Sequence, residues 1–282
     1  MSAAAAPSCV RAALDAATDA IAAAGSDTAR LDAELLLCEA TGWDRSQINA
    51  DPGMRLPVGA SREFAAMVRR RVRREPVAYI LGRKGFRRIE LVVDHRVLIP
   101  RPETELLVEV ALEFGPRTVL DVGTGSGAIA LAVADELPEA RIVAIDTSLA
   151  ALGVAQVNAD RLGLDQRVDV VAAGFASLPD AGRCELLLAN LPYVSEGEWE
   201  ALEPEIREYE PREALVSGPT GLEAIESLLD SLSRLGEPPA AIALEIGARQ
   251  GTEVKRLVRD AGYREVEVRT DLAGLDRVVV GR

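Results

Sequence analysis

The sequence predicts an α/β protein: a doubly wound, mostly parallel sheet with an antiparallel terminal hairpin, preceded by a small N-terminal helical bundle. Three observations carry that expectation. From Thr118 onward, short apolar runs alternate with stretches of helical period, the pattern of a parallel sheet covered on both faces. The last two runs, at 264–269 and 276–281, are separated only by Thr270 to Leu275, a connection too short for a parallel crossover. Residues 8 to about 50 instead repeat apolar side chains every three or four positions.

The elements follow in order. Val10, Leu14, Ala17, Ile21 and Ala24 form one helical stripe, and Leu31, Leu35 and Cys38 a second, with Gly25 and Gly42 as stops and Asp27 or Thr28 as a cap. A helix from about Ser61 to Arg74 places Phe64, Met67, Val68 and Val72 on one side. Arg69, Arg70, Arg71, Arg73 and Arg74 occupy its other faces, either as a solvated basic surface or as a docking surface for an acidic or RNA-containing partner. Gly82, Gly85 and the alternation over Arg88 to Val93 predict a short β-hairpin within 76–100, and Ile99-Pro100-Arg101-Pro102 breaks the chain before a helix over Glu103 to Glu113. Strands are expected at 118–122, 141–145, 168–171, 185–189 and 240–246, with helices at 128–137 and 149–162. The expected domains are 1–80, helical; 81–101, a β-hairpin linker; and 102–282, the sheet.

Composition limits the function classes. With 282 residues, 48% hydrophobic and 27% charged, the chain suits two domains with a substantial core. Cys9, Cys38 and Cys184 lie far apart, which argues against a disulfide framework or a zinc site and for a reducing compartment. The alanine run Met1 to Pro7 has no basic flank, and no apolar stretch reaches the roughly 18 residues of a membrane span. A soluble, cytoplasmic protein is expected. His95 is the single histidine, set in a turn, so a histidine-rich metal site is excluded and no metal is expected. The net charge of −13 is uneven: −5 over residues 1–54, +9 over 55–101 and −17 over 102–282. An acidic chain of this kind is a poor general ligand for nucleic acid.

Asp121-Val122-Gly123-Thr124-Gly125-Ser126-Gly127 leaves a strand and opens a helix, and its glycines allow a tight turn close to a ligand. Asp146 ends the next strand, where a carboxylate can accept both hydroxyls of a ribose. Taken alone, Gly123-x-Gly125-x-x-Ala128 also satisfies the dinucleotide fingerprint. S-adenosylmethionine is favoured by the dense loop behind Asp121, which suits a small cationic sulfonium, by the antiparallel hairpin, and by the motif after the strand at 185–189.

That motif is Asn190-Leu191-Pro192-Tyr193. An amide or exocyclic amine nitrogen has a delocalised lone pair and is a poor nucleophile, so its N–H groups must be held by acceptors and its plane aimed at the methyl group. The Asn190 side-chain oxygen and the carbonyl of residue 191 are suitable acceptors, Pro192 favours an extended residue 191, and Tyr193 offers a ring for stacking. Methyl transfer is a direct displacement in which positioning dominates, so no histidine base is needed. The motif alone serves an adenine or an amide equally well.

The chain resembles the HemK/PrmC family, the methyltransferases of a glutamine in peptide chain release factors. The resemblance runs through Arg74-Glu75-Pro76-Val77-Ala78-Tyr79-Ile80-Leu81-Gly82, Leu98-Ile99-Pro100-Arg101-Pro102-Glu103-Thr104-Glu105, the glycine loop, Asp146, Asn158 and the Asn190 motif. It continues in Tyr209-Glu210-Pro211-Arg212-Glu213-Ala214-Leu215 and Gly218 to Leu222. It implies a seven-stranded methyltransferase sheet and a substrate-recognising N-terminal bundle. It further implies cofactor contacts from Gly123, Thr124, Gly125, Ser126, Gly127, Asp146 and Asn190, and a target glutamine, in a Gly-Gly-Gln loop, held by Asn190, Leu191, Pro192 and Tyr193. Two departures stand out. Leu191 replaces the usual proline, which removes one rigid torsion. The adenine-side segment reads Ala172-Ala173-Gly174-Phe175, so Gly174 carries over weakly and Phe175 is expected near the adenine. The rival readings are a ribosomal-protein glutamine methyltransferase, an adenine N6 methyltransferase of nucleic acid, and a binding protein without activity.

Overall fold

The computed structural model describes residues 9–282 except 176, 180 and 236. The alanine-rich start lies outside the described residues. The chain forms two compact units, residues 1–82 with 204–209 and residues 83–203 with 210–282.

The first unit contains α1 (Val10–Ala23), α2 (Ala29–Thr41), α3 (Arg45–Ala50), α4 (Val58–Val72) and α5 (Val77–Leu81), joined by the later segment Pro204–Tyr209. Leu14, Ile21, Leu36, Leu37, Ile48 and Phe64 fill its core. Helix boundaries follow local chemistry. The Asp44 side chain accepts from the Gln47 N–H and the Gln47 side chain answers it at the start of α3, while Gly42 closes α2 with φ of 70°. The segment 76–100, expected to contain a short β-hairpin, begins with α5, between Pro76 and Gly82, which suit a helix start and a left-handed helix end.

The buried face of α2 differs from the expected stripe. Leu31 is exposed, while Asp32, Ala33, Leu36 and Leu37 are buried. An ion pair draws that face inward. Arg71 Nε donates to Asp32 Oδ2 at 2.8 Å, and both side chains are almost fully buried. Arg71 also meets Glu205 at 2.9 Å, Arg74 pairs with the same carboxylate, and the Tyr209 hydroxyl donates to the Arg73 carbonyl. Burial pushes the Glu205 carboxyl up, but Arg74 and Arg71 hold it below the usual carboxylate range. The arginine run is therefore neither wholly a solvated face nor wholly a docking surface. Arg70 pairs with Glu75, and Arg71 and Arg74 clamp Pro204–Tyr209, while Arg69 and Arg73 remain exposed.

The second unit opens with the antiparallel pair β1 (Arg83–Phe86) and β2 (Ile89–Val92). One 3-10 turn, Pro102–Thr104, then leads into α6 (Glu105–Phe114). There follow β3 (Thr118–Val122), α7 (Ala128–Glu136), β4 (Arg141–Asp146), α8 (Leu149–Leu162), β5 (Val168–Ala172), β6 (Leu186–Ala189), β7 (Val194–Ser195) and α9 (Glu196–Trp199). After α10 (Pro204–Tyr209), which belongs to the first unit, come β8 (Val216–Gly218), α11 (Glu223–Ser233), β9 (Ala241–Glu245), α12 (Gly251–Asp260), β10 (Val266–Thr270) and β11 (Asp276–Gly281).

Seven strands form one sheet in the order β10-β11-β9-β6-β3-β4-β5. The central strands read as continuous apolar runs because helices cover both faces: every residue of β6 and β9 is buried. β11 alone runs against its neighbours, paired antiparallel with both β9 and β10. The intervening turn holds its shape because Asp271 Oδ1 accepts from the Ala273 and Leu275 N–H groups. From β3 the chain steps outward through β4 to β5 and then returns to β6 on the other side of β3. Where a doubly wound sheet changes direction in this way, the loops at the strand carboxyl ends diverge and leave a crevice. Among the described residues, no helix is long and apolar enough to cross a membrane.

Candidate active site

The crevice at the carboxyl ends of β3, β4 and β6 opens into a cavity of about 290 Å³. Gly123, Thr124, Gly125 and Ser126 enter it after β3, Asp146 at the end of β4, Gly174 and Phe175 after β5, and Asn190, Leu191 and Pro192 after β6. Of the residues proposed from sequence, Gly127 and Tyr193 do not line it.

The glycine loop takes a path closed to other residues. Gly123, Gly125 and Gly127 all have positive φ, at 76°, 57° and 83°. A Cβ at Gly127 would lie 2.9 Å from Leu131 Cδ1, so this glycine serves the packing of α7 behind the cavity rather than its wall. A Cβ at Gly125 would meet no protein atom within 4 Å, which leaves its side of the wall open to a ligand. Asp146 sits beneath the loop, accepting from Gly125 N–H at 2.9 Å through Oδ2 and from Ser148 N–H at 2.9 Å through Oδ1. Each oxygen keeps lone-pair capacity for a further donor.

Asp121, which precedes the loop, is fully buried and turned into it. Its Oδ2 accepts from Thr124 Oγ1 at 2.6 Å and from Ala130 N–H at 3.2 Å, so it ties the loop to α7. Burial raises its pKa to about 7, against those two hydrogen bonds.

Residues distant in sequence complete the site. Asn158 on α8 is buried; it exchanges hydrogen bonds with both backbone groups of Val92 and donates to the Ser126 carbonyl at 2.9 Å, stapling β2 to the glycine loop. Glu210 is buried too; it accepts from Ile99 N–H at 3.0 Å and pairs with Arg101, so the Ile99–Glu105 and Glu210–Leu215 segments meet at the cavity rim. The sequence pattern signalled both segments without revealing that they join each other.

The Asn190 motif is held from behind. Leu191 is buried and packs against Gly123, where a Cβ would come within 3.1 Å of Leu191 Cδ2. The rigidity a proline would supply through its ring is replaced in part by this apolar anchor. The Gln250 side chain donates to the Tyr193 carbonyl at 3.0 Å and to the Gly221 carbonyl at 3.2 Å. Tyr193 is half-buried and does not line the cavity, and its ring lies beside Gly247. Burial, helped by the Glu245 charge, raises its pKa to about 12, so its hydroxyl stays protonated near neutral pH. Asn190 Nδ2 donates to Thr104 Oγ1 at 3.1 Å.

Gly221 stands directly against the motif. Its φ is 81°, and a Cβ there would fall 2.4 Å from the Tyr193 carbonyl oxygen. Gly221→Ala is expected to cost at least ~1–3 kcal/mol from backbone strain alone and to displace Tyr193. A lowered unfolding midpoint together with reduced methyl transfer would bear this out, whereas a variant as stable and active as the parent would contradict it.

The chain is similar to known proteins over most of its length. Residues 12–82 match the PrmC N-terminal domain family, and residues 119–209 match a methyltransferase domain family. The release factor glutamine methyltransferase of Caulobacter vibrioides is 41% identical over 270 residues, covering 94% of this chain and 93% of that protein. The protein of the same name from Cereibacter sphaeroides is 41% identical over 271 residues, covering 96% and 97%. The chain belongs to the release factor glutamine methyltransferase family. Among solved structures, the N-terminal domain of human METTL16 in complex with SAH has a TM-score of 0.51 at 14% identity, covering 68% of this chain and 75% of that one, a likeness of fold alone.

Proposed function

We propose that this protein transfers a methyl group from S-adenosylmethionine to the side-chain amide nitrogen of the glutamine in the Gly-Gly-Gln loop of peptide chain release factors. The observation that carries the reading is the meeting of the glycine loop, Asp146 and Asn190-Leu191-Pro192 in one cavity of a chain 41% identical to release factor glutamine methyltransferases.

The residues present suit the cofactor. Gly125 leaves the wall open, Asp146 offers carboxylate oxygens for ribose hydroxyls, and Phe175 supplies an apolar surface for a flat base. Bound there, S-adenosylmethionine supplies an electrophilic methyl group. The chain's own residues provide position: Asn190 Oδ1 and the carbonyl of Leu191 accept the N–H groups of the substrate amide and fix its plane. Tyr193 contributes through its carbonyl and its packing rather than by stacking on the substrate. The helical first unit recognises the release factor. A protein substrate is favoured over nucleic acid by the net charge of −13 and by the engagement of Arg70, Arg71 and Arg74 within their own unit, which leaves Arg69 and Arg73 exposed. Acting on release factors, the protein would work in the cytoplasm.

Labelled cofactor tests the choice among substrates. Transfer to a release factor is expected, with none to a ribosomal protein or to nucleic acid, and label found only in nucleic acid would overturn the reading. Asp146→Ala is expected to weaken cofactor binding about tenfold or more, since it removes a charged acceptor. Calorimetry that returns an unchanged affinity would remove Asp146 from the cofactor site.

A further inference from the structure

The Asn190 motif ends at Tyr193, and the Tyr193 carbonyl is where it is fastened to the rest of the second unit. The fastening is the side-chain amide of Gln250, which meets three backbone groups. Its Nε2 donates to the Tyr193 carbonyl at 3.0 Å and to the Gly221 carbonyl at 3.2 Å, and its Oε1 accepts from the Gly247 N–H at 2.9 Å. These groups belong to three separate connections, after β6, after β8 and after β9.

Backbone groups cannot exchange roles, so the direction of this amide is fixed. An N–H only donates and a carbonyl only accepts, so Oε1 must face Gly247 and Nε2 must face the two carbonyls. Two glycines leave room for it. A Cβ at Gly247 would lie 3.1 Å from Oε1, and a Cβ at Gly221 would lie 3.1 Å from Nε2. The base of the side chain is held as well. The Gln250 N–H donates to the Gly247 carbonyl, and the Gln250 carbonyl accepts from the Val254 N–H in α12.

This clamp bears on the acceptor at residue 191. Leu191 is anchored on one side by its packing against Gly123, and Tyr193 on the other by Gln250. Pro192 stands between them with its φ locked by the ring, so a shift of Tyr193 carries over to the Leu191 carbonyl. The next fixed point, the Val194 N–H on the Leu215 carbonyl, lies beyond the clamp.

We infer that Gln250 is a positioning residue for methyl transfer, setting the place of the Leu191 carbonyl through the Tyr193 carbonyl. This role rests on the substrate-holding function proposed for Asn190 and Leu191. Gln250 does not line the cavity and touches no reacting atom.

Two variants test it, with a release factor as substrate and saturating S-adenosylmethionine. Gln250→Met keeps the length of the side chain and removes both ends of the amide. Gln250→Glu keeps the acceptor for Gly247 but turns a carboxylate oxygen on two carbonyl oxygens. The expected loss of kcat is about tenfold in Gln250→Met and about 100-fold in Gln250→Glu, the scale of a misplaced catalytic contact. Cofactor affinity by calorimetry should stay close to that of the parent, because the glycine loop and Asp146 leave other strands, and it also reports that the fold is intact. Gln250→Met adds no charge and decides the matter by itself if Gln250→Glu does not fold. Parental kcat in Gln250→Met, or a folded Gln250→Glu no slower than Gln250→Met, would overturn the role. A fall in cofactor affinity that matches the fall in kcat would assign Gln250 to the fold alone and overturn it too. An active Asn190→Ala would instead overturn the site reading beneath it, whereas an inactive Asn190→Ala beside a fully active Gln250→Met would sink the clamp alone.

Discussion

Asn190→Ala is expected to abolish measurable methyl transfer while cofactor affinity falls only modestly. The two effects separate because Asn190 lies at the end of β6, while the glycine loop and Asp146 leave β3 and β4. Removing one preorganised hydrogen-bonding group from a reacting centre costs about 10²–10³ in kcat in comparable sites. The loss should be larger here, since an amide nitrogen has almost no reactivity until its plane is fixed. Leu191 and Gln250 keep the backbone of the motif in place in the variant, so the deletion tests the side chain and not the loop. Steady-state transfer with labelled cofactor, paired with calorimetry, separates the two quantities. Full activity would exclude the assigned role of Asn190, and a collapse of cofactor binding would mean that the residue serves the wrong end of the cavity.

Arg71→Met should destabilise the helical unit by about 3–5 kcal/mol, the usual cost of stripping one partner from a buried ion pair. Arg71 bridges Asp32 and Glu205, and its side chain is 6% exposed against 8% for Asp32. Glu205 would keep Arg74, and Asp32 would keep the Ser26 and Thr28 hydroxyls, but the buried carboxylate of Asp32 would lose its counter-charge. The sign can be checked with a second change. Arg71→Met combined with Asp32→Leu removes both charges, and a well-packed apolar pair in place of a buried ion pair is often neutral, so stability should largely return. Chemical denaturation of the three proteins measures this directly. Equal stability in Arg71→Met and the parent would show that the pair contributes nothing.

Much of the sheet was legible in the sequence because parallel strands covered on both faces must be continuously apolar, as Leu186-Leu187-Leu188-Ala189 is. The hairpin was legible for a different reason: five residues between β10 and β11 leave the chain no other geometry. Elements without a periodic signature were missed. β7 and β8 are two and three residues long, and α5 is a single turn framed by Pro76 and Gly82. α11 should have been found, since Ile225, Leu228, Leu229 and Leu232 fall on one helical face.

The site divides in the same way. Gly123, Gly125 and Asn190 could be named because backbone freedom and amide chemistry restrict a position to one or two residue types. Gln250 could not, nor could the partner of Glu210, because their meaning lies in residues brought close only by the fold. Glu210 pairs with Arg101 across 109 positions of sequence. The buried face of α2, expected along Leu31, Leu35 and Cys38, turns toward Asp32 for the same reason, since no local pattern signals a buried carboxylate whose partner is 39 residues away.

The central claim is that Asn190 and the carbonyl of Leu191 present a protein glutamine, and not a base, to the methyl group. Tandem mass spectrometry of a release factor incubated with the protein and S-adenosylmethionine tests it most directly. The account predicts one added methyl group, confined to the side-chain amide of the glutamine in the Gly-Gly-Gln loop and absent when Asn190→Ala replaces the parent. An unmodified glutamine, or a methyl group on any other residue, would contradict it.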